Sequence, residues 1–256
     1  MIKKLANKDE ESSKITGGVL GALAGLGISS AASYPIIKAD ADYIFQPKTK
    51  IKAETMERLK NHMLKNPSEL RTVRDANGMS MKSFFLDKKF ATKENIEKYL
   101  NLDPAEDINK YINKNIIHHG DDISTFTHEL GHASFYENKS KAFKTIMGLL
   151  RVLNGGASKA TIIPAGVGYG LAGSTLADDN VSDKTKALVA GGVTAAAAPA
   201  LIDEGIASIK AMNALKTVEN INRVETLKKL GPAFLTYAGL PLGAIATGYA
   251  YNKLTS

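Results

Sequence analysis

The chain alternates between stretches with no charged residue and stretches dense in Lys, Asp and Glu. Four windows lack Asp, Glu, Lys and Arg altogether: residues 15–37, 160–177, 187–202 and 230–252. A helix crossing a bilayer core needs about 20 apolar residues, with a range of about 17–25. The first and last windows have that length. The window 160–177 lies at the short end, and 187–202 needs a thinned membrane or a snorkelling helix end. Small residues recur at every fourth position: Gly17, Gly21, Gly25, Ser29 and Ser33, then Gly166, Gly170 and Ser174, then Gly239, Gly243 and Thr247. This spacing lays small side chains along one helix stripe, where backbones approach closely in lipid. The pattern predicts a polar tail over 1–14, transmembrane helices over 15–37 and 230–252, and a transmembrane hairpin over 160–202. A Gly/Ala helix buried in a soluble core is the competing reading. A signal peptide competes at the N-terminus, where Lys3 and Lys4 precede the apolar run and Ala31-Ala32-Ser33 offers a cleavage site. Asp9, Glu10, Glu11 and the length of the uncharged run argue against it.

The polar region 38–159 reads mostly as helices. Met56, Leu59, Met63 and Leu64 mark an amphipathic helix within 51–65, stopped before Pro67. Thr92 caps a helix toward Leu100, and Asp103-Pro104 opens another. Asn77-Gly78 is a turn signal, and Ile116-Ile117 marks a single short strand. Residues 203–229 read as one or two helices, broken by Gly231-Pro232.

Composition narrows the chemistry. The 256 residues include no Cys, which excludes disulfides, iron–sulfur clusters, thiol nucleophiles and Cys-ligated zinc. The net charge of +7 suits nucleic acid or an anionic membrane surface. The basic helices lack interleaved stacking aromatics, so no nucleic-acid partner is expected. Eleven Lys and Arg flank the crossings on the side of the central region, from Lys38, Lys48, Lys50 and Lys52 to Lys228 and Lys229. Seven flank the other side, including Lys3, Lys184 and Lys253. This bias places the central region in the cytoplasm.

Residues 128–132 read His128-Glu129-Leu130-Gly131-His132. Two His four apart on a helix point from one face, about 40° apart around the axis. Both imidazoles can reach one Zn2+ ion, and the adjacent Glu129 can act as general base. Asp121 or Asp122 is placed to cap this helix, with Ile123, Phe126, Leu130 and Ala133 at helical spacing. A catalytic zinc takes a third protein ligand. The downstream His extension is absent, because Phe135 replaces the required Gly and Asn138 the required His. A carboxylate is needed instead. Glu204, directly after the third window, is the first candidate and Asp203 the rival. Glu137 lies more than a turn beyond His132, and Glu219 and Glu225 read as surface charges. Two crossings between 160 and 202 return the chain to the face of His128 and His132.

The stretch from Phe126 to Ala133 resembles the active helix of integral-membrane gluzincin peptidases of the HtpX-like and YugP-like groups. In those groups an apolar hairpin follows, and a Glu in a Glu-x-x-Ala-(Asp/Ser) setting supplies the third ligand. Glu204, Ala207 and Ser208 match that setting. The resemblance implies a mainly α, multi-pass membrane protein with a small zincin-like catalytic region over 38–159. Zinc would be held by His128, His132 and Glu204, with Glu129 catalytic. It also implies a short edge strand, Ile116–His119, that binds peptide by strand addition, with the His118 and His119 side chains on an exposed loop as the plainer reading. His62 reads as a surface residue, and Tyr136 and Tyr169 are both candidates to stabilise an oxyanion. The function expected is a membrane-embedded zinc-dependent endopeptidase acting on membrane or membrane-proximal proteins. The alternative is a non-catalytic, Gly-rich pore or scaffold, a homo-oligomer built through the small-residue stripes.

Overall fold

The structure is a computed structural model that describes residues 15–24, 51–74, 83–100, 102, 105–153, 159–218 and 223–255. It is mainly α-helical with one small sheet. Two compact units interleave along the chain. One comprises 35–140 and 203–231, and the other 1–34, 141–202 and 232–256.

The first unit holds helices α2 (Ala53–Met63), α3 (Lys93–Tyr99) and α4 (Ile123–Tyr136) and strands β1 (Leu70–Arg74), β2 (Phe84–Leu86) and β3 (Asn115–His119). Its second segment adds the end of α7 (Asp183–Leu215). The expected caps form: Thr92 accepts from the Asn95 N–H at 3.3 Å, and Asp122 from the Ser124 N–H at 2.8 Å. Asp121 instead pairs with Arg74.

The expected single strand is the centre of a sheet ordered β1-β3-β2, with β1 parallel and β2 antiparallel to β3. Ile116–His119 is therefore not an edge strand. Successive residues of β3 serve opposite faces. Ile117 joins Leu59, Leu70, Phe126, Leu130 and Ala133 on one side, and Ile116 joins Val73, Ile96, Leu100 and Tyr111 on the other. A strand buried on both faces reads as a β-branched run, which is what the sequence shows. Its neighbours left little signal. β1 buries Leu70 and Val73, three apart rather than two, and β2 has only three residues. A 3-10 turn, Ile108–Lys110, capped by Asp107, follows the point where a helix was expected to open. Asp103-Pro104, Asn77-Gly78 and the Ala31 region lie outside the described residues.

The second unit contains α1 (Ile15–Ala24), α5 (Lys141–Leu153), α6 (Lys159–Ala177), the first twenty residues of α7, and most of α8 (Arg223–Thr255). Its helices meet through small residues. A Cβ on Gly21 would lie 2.5 Å from the Ala244 carbonyl oxygen, and one on Gly170 would lie 2.5 Å from that of Gly18. Ser174 Oγ donates to the Gly248 carbonyl at 3.0 Å, and Asn252 Nδ2 to the Ser174 carbonyl at 2.7 Å. Large apolar side chains such as Leu23, Ile163, Leu188 and Leu242 point outward.

Among the described residues, one helix, α7, is long and apolar enough to cross a membrane, and its most apolar stretch is only 11% buried. The first window is described only over Ile15–Ala24. The helices α6 and α8 form where crossings were expected. The boundary expected at Gly231-Pro232 is absent, since α8 runs through it and α7 ends earlier, at Leu215. An internal Pro removes one backbone hydrogen bond at about 3 kcal/mol, a cost a 33-residue helix absorbs.

The packing separates two glycine classes. Gly170→Val should lower stability by about 1–3 kcal/mol through overpacking. Gly191, with nothing within 4 Å of a built Cβ, should tolerate Ala and gain up to about 1 kcal/mol of helix propensity. Thermal unfolding of the two variants in detergent checks the contrast.

Candidate metal centre

Helix α4 turns Phe126, Leu130 and Ala133 toward the sheet, which leaves His128, Glu129 and His132 on its other faces. Gly131 sets what can approach them. A Cβ there would lie 2.3 Å from the Ala207 carbonyl oxygen and 2.8 Å from its Cα, so only Gly admits α7 at this distance. Lys210 Nζ donates to Ser134 Oγ at 2.8 Å and ties the same pair of helices. This crossing carries Asp203 and Glu204 to the two imidazoles.

Three donor atoms converge. His128 Nε2 lies 3.2 Å from Glu204 Oε2 and 3.2 Å from His132 Nε2, and His132 Nε2 lies 3.4 Å from Glu204 Oε2. Three ligand atoms about 2.0–2.1 Å from a tetrahedral ion stand about 3.3–3.4 Å apart. All three residues are buried, and together they could hold a metal ion.

The remote nitrogens are held as well. His132 Nδ1 lies 3.0 Å from Asp203 Oδ1, and Tyr136 Oη donates to Asp203 Oδ2 at 2.8 Å. The Asp203 carboxylate is fully buried and accepts, so His132 carries its hydrogen on Nδ1 and turns the Nε2 lone pair to the centre. Ser208 Oγ stands 3.3 Å from His128 Nδ1 and can do the same there. Two imidazole lone pairs and a carboxylate oxygen turned toward one another favour a cation among them. Without a metal, that cation is a proton. Burial pushes His132 downward, but its hydrogen bonds to Asp203 and Glu204 and the nearby Glu129 outweigh this and raise its pKa to about 10.

The structure separates the carboxylates the sequence left open. Glu204 is at the centre, and Asp203 sits behind His132. Both lie inside a 33-residue helix rather than at its start, so neither caps it. The Glu137 carboxylate accepts the backbone N–H groups of Lys65 at 2.9 Å and Asn66 at 2.6 Å. Glu219 and the Glu225 side chain lie outside the description. Glu129 is buried, and its charge is felt at His132.

Tyr136 supports Asp203, and Tyr169 belongs to the other unit, against Ala197 and Ala244. His118 and His119 are buried, contrary to the loop reading. His118 stacks on Phe84 at 5.3 Å, while His119 meets the Phe126 ring edge at 4.9 Å and is lowered in pKa by that burial. His62 is exposed on α2 as expected. The supporting role of Tyr136 had a signal in its i+4 spacing from His132. No family model matches the chain, nor does any curated protein or solved structure.

Two outcomes follow from this geometry. Glu204→Gln should lower Zn2+ affinity by orders of magnitude, whereas Asp203→Asn should lower it by about 10–100-fold, as for an orienting partner. Direct titration of both variants ranks the two residues, and a reversed order makes Asp203 the ligand. Metal binding at pH 7 should also release about one proton from His132, read by calorimetry in buffers of different ionisation enthalpy. The sign is fixed because the folded pKa, about 10, exceeds the unfolded value of about 6.5. The proton therefore stabilises the metal-free fold fully below about pH 6.5, and that stabilisation is lost as pH rises toward 10.

Proposed function

We propose that the chain is a membrane-embedded, zinc-dependent endopeptidase that hydrolyses peptide bonds in membrane or membrane-proximal proteins. The observation that carries this reading is the triangle of His128 Nε2, His132 Nε2 and Glu204 Oε2 with Glu129 on the same helix. Three protein donors of this N2O type leave a fourth position open, the pattern of a catalytic rather than a structural zinc. Zinc, when bound, supplies a water with a pKa near about 7 and polarises the scissile carbonyl. Glu129 takes the proton of the attacking water and passes it to the leaving amine. Asp203 and Tyr136 hold His132 in the tautomer that ligates, and Ser208 serves His128. The match of Glu204, Ala207 and Ser208 to the gluzincin setting gains a physical reason, since Ala207 is the residue that meets Gly131.

The sheet also offers a place for substrate. Its antiparallel edge beside α4 is β2, where Phe85 stacks on Tyr136 at 6.3 Å. An extended peptide adding to β2 replaces the role first assigned to Ile116–His119.

Membrane embedding is supported by α7, whose apolar stretch is exposed rather than buried as in a soluble core. Outward large residues and inward small ones in the second unit support further crossings by its other helices. The Lys/Arg bias supports a cytoplasmic catalytic unit. A non-catalytic oligomer built on the small-residue stripes is the weaker reading, because Gly17, Gly21, Gly166 and Gly170 already pack within the unit.

Zinc content and hydrolysis of a denatured or membrane-protein substrate test the proposal together. Glu129→Gln should retain zinc and lose at least about 100-fold in rate. His128→Ala should lose the metal itself. Purified protein that takes up no zinc, or a Glu129→Gln variant that loses it like His128→Ala, overturns the assignment.

A further inference from the structure

We infer that α5, Lys141–Leu153, is an interfacial helix that lies on an anionic lipid surface. Ala142, Ile146 and Leu149 recur at i, i+4 and i+7 and form an exposed apolar stripe, with Ile146 56% and Leu149 60% accessible. Met147 and Lys144 turn into the unit instead. At 13 residues the helix is about 20 Å long, too short for a hydrocarbon core of about 30 Å. It therefore lies on a membrane rather than across it.

Charge selects the partner. Residues 138–177 contain no Asp or Glu and five cations, Lys139, Lys141, Lys144, Arg151 and Lys159, of which Lys144 is buried in the unit and does not face a surface. An apolar stripe on a wholly basic segment that leads into an apolar helix is the pattern of a juxtamembrane element bound by anionic headgroups. A second copy of the chain would set the same cations against one another. The inference rests on the membrane reading and sharpens its substrate class. Only Glu137–Ser140 separate α4 from α5, and the five peptide steps from Tyr136 to Lys141 reach at most about 18 Å. A catalytic unit joined by so short a link to a surface-bound helix favours membrane-proximal segments as substrates.

The chain contains no Trp, so one introduced Trp reports alone. Leu149→Trp probes α5, and Leu188→Trp probes the exposed face of α7. The full chain is reconstituted in phosphatidylcholine vesicles and in vesicles carrying a minority of phosphatidylglycerol. Leu188→Trp should emit blue and be quenched by brominated acyl chains in both. Leu149→Trp should shift blue and be quenched only with phosphatidylglycerol, and high salt or an added Lys141→Glu should reverse the shift. Water-like emission from Leu149→Trp with phosphatidylglycerol overturns the inference, and if Leu188→Trp remains quenched the spanning reading survives. Blue emission without lipid quenching means that protein covers the stripe, and equal, salt-insensitive quenching in both vesicles removes the anionic partner. Either result also overturns it. Quenching of Leu149→Trp alone upholds the interfacial helix and sinks the spanning one.

Discussion

At Gly131 the backbone of α4 approaches α7 so closely that no side chain fits between them. The rest of the centre depends on that approach. A carboxylate from a residue 72 positions beyond His132 reaches an imidazole only if the helix carrying it crosses nearly backbone to backbone. With Ala207 at the crossing point, Glu204 lies one turn earlier on α7, level with His128 and His132. Asp203, about 100° around the helix from Glu204, falls behind His132. One crossing thus places both the central carboxylate and the one that orients a ligand.

Electrostatics makes the same arrangement conditional on a cation. Asp203 and Glu204 are 0% and 2% exposed, respectively. Unpaired carboxylates at such depth cost several kcal/mol each after relaxation. A positive charge at the centre offsets them, whether a metal or the proton that His132, raised to about 10 by these carboxylates, holds in its place. The centre is in this sense part of the fold as well as the proposed seat of chemistry. Removing its charge takes the cation away from beside two buried carboxylates and leaves them their hydrogen bonds, such as that from Tyr136 to Asp203.

The sequence showed the centre more clearly than the scaffold. His128 and His132 were legible because their spacing of four is a direct consequence of helical periodicity. Glu204 was legible through its position after an uncharged window. The function of Asp203 was not, because adjacency in sequence says only that two side chains diverge, not which one meets the imidazole. Strands β1 and β2 were missed for a different reason. Short strands next to a doubly buried partner need no alternation of their own, and Leu70 and Val73 are three apart. Ile116-Ile117 announced a strand, but a lone β-branched run cannot say how many neighbours it has. Gly231-Pro232 misled because local helix breakers lose to a long helix packed through its small residues.

The helix α7 joins two chemistries that seldom share one element. Up to Ile202 it presents exposed apolar residues, and from Asp203 it presents buried charge. A break between these parts would leave about four unpaired carbonyls and four unpaired N–H groups at the edge of the apolar stretch. Those groups are expensive wherever water is scarce. Continuity through Asp203 and Glu204 avoids that cost, and it also fixes the rotation of the carboxylates about the helix axis relative to the apolar face. The direction in which Glu204 points is set at the Gly131–Ala207 crossing, and the unbroken helix carries that phase back into the uncharged window. Inserting a single residue within 187–202 would turn the apolar face by about 100° against the carboxylates and leave Asp203 and Glu204 in the register that the crossing gives them.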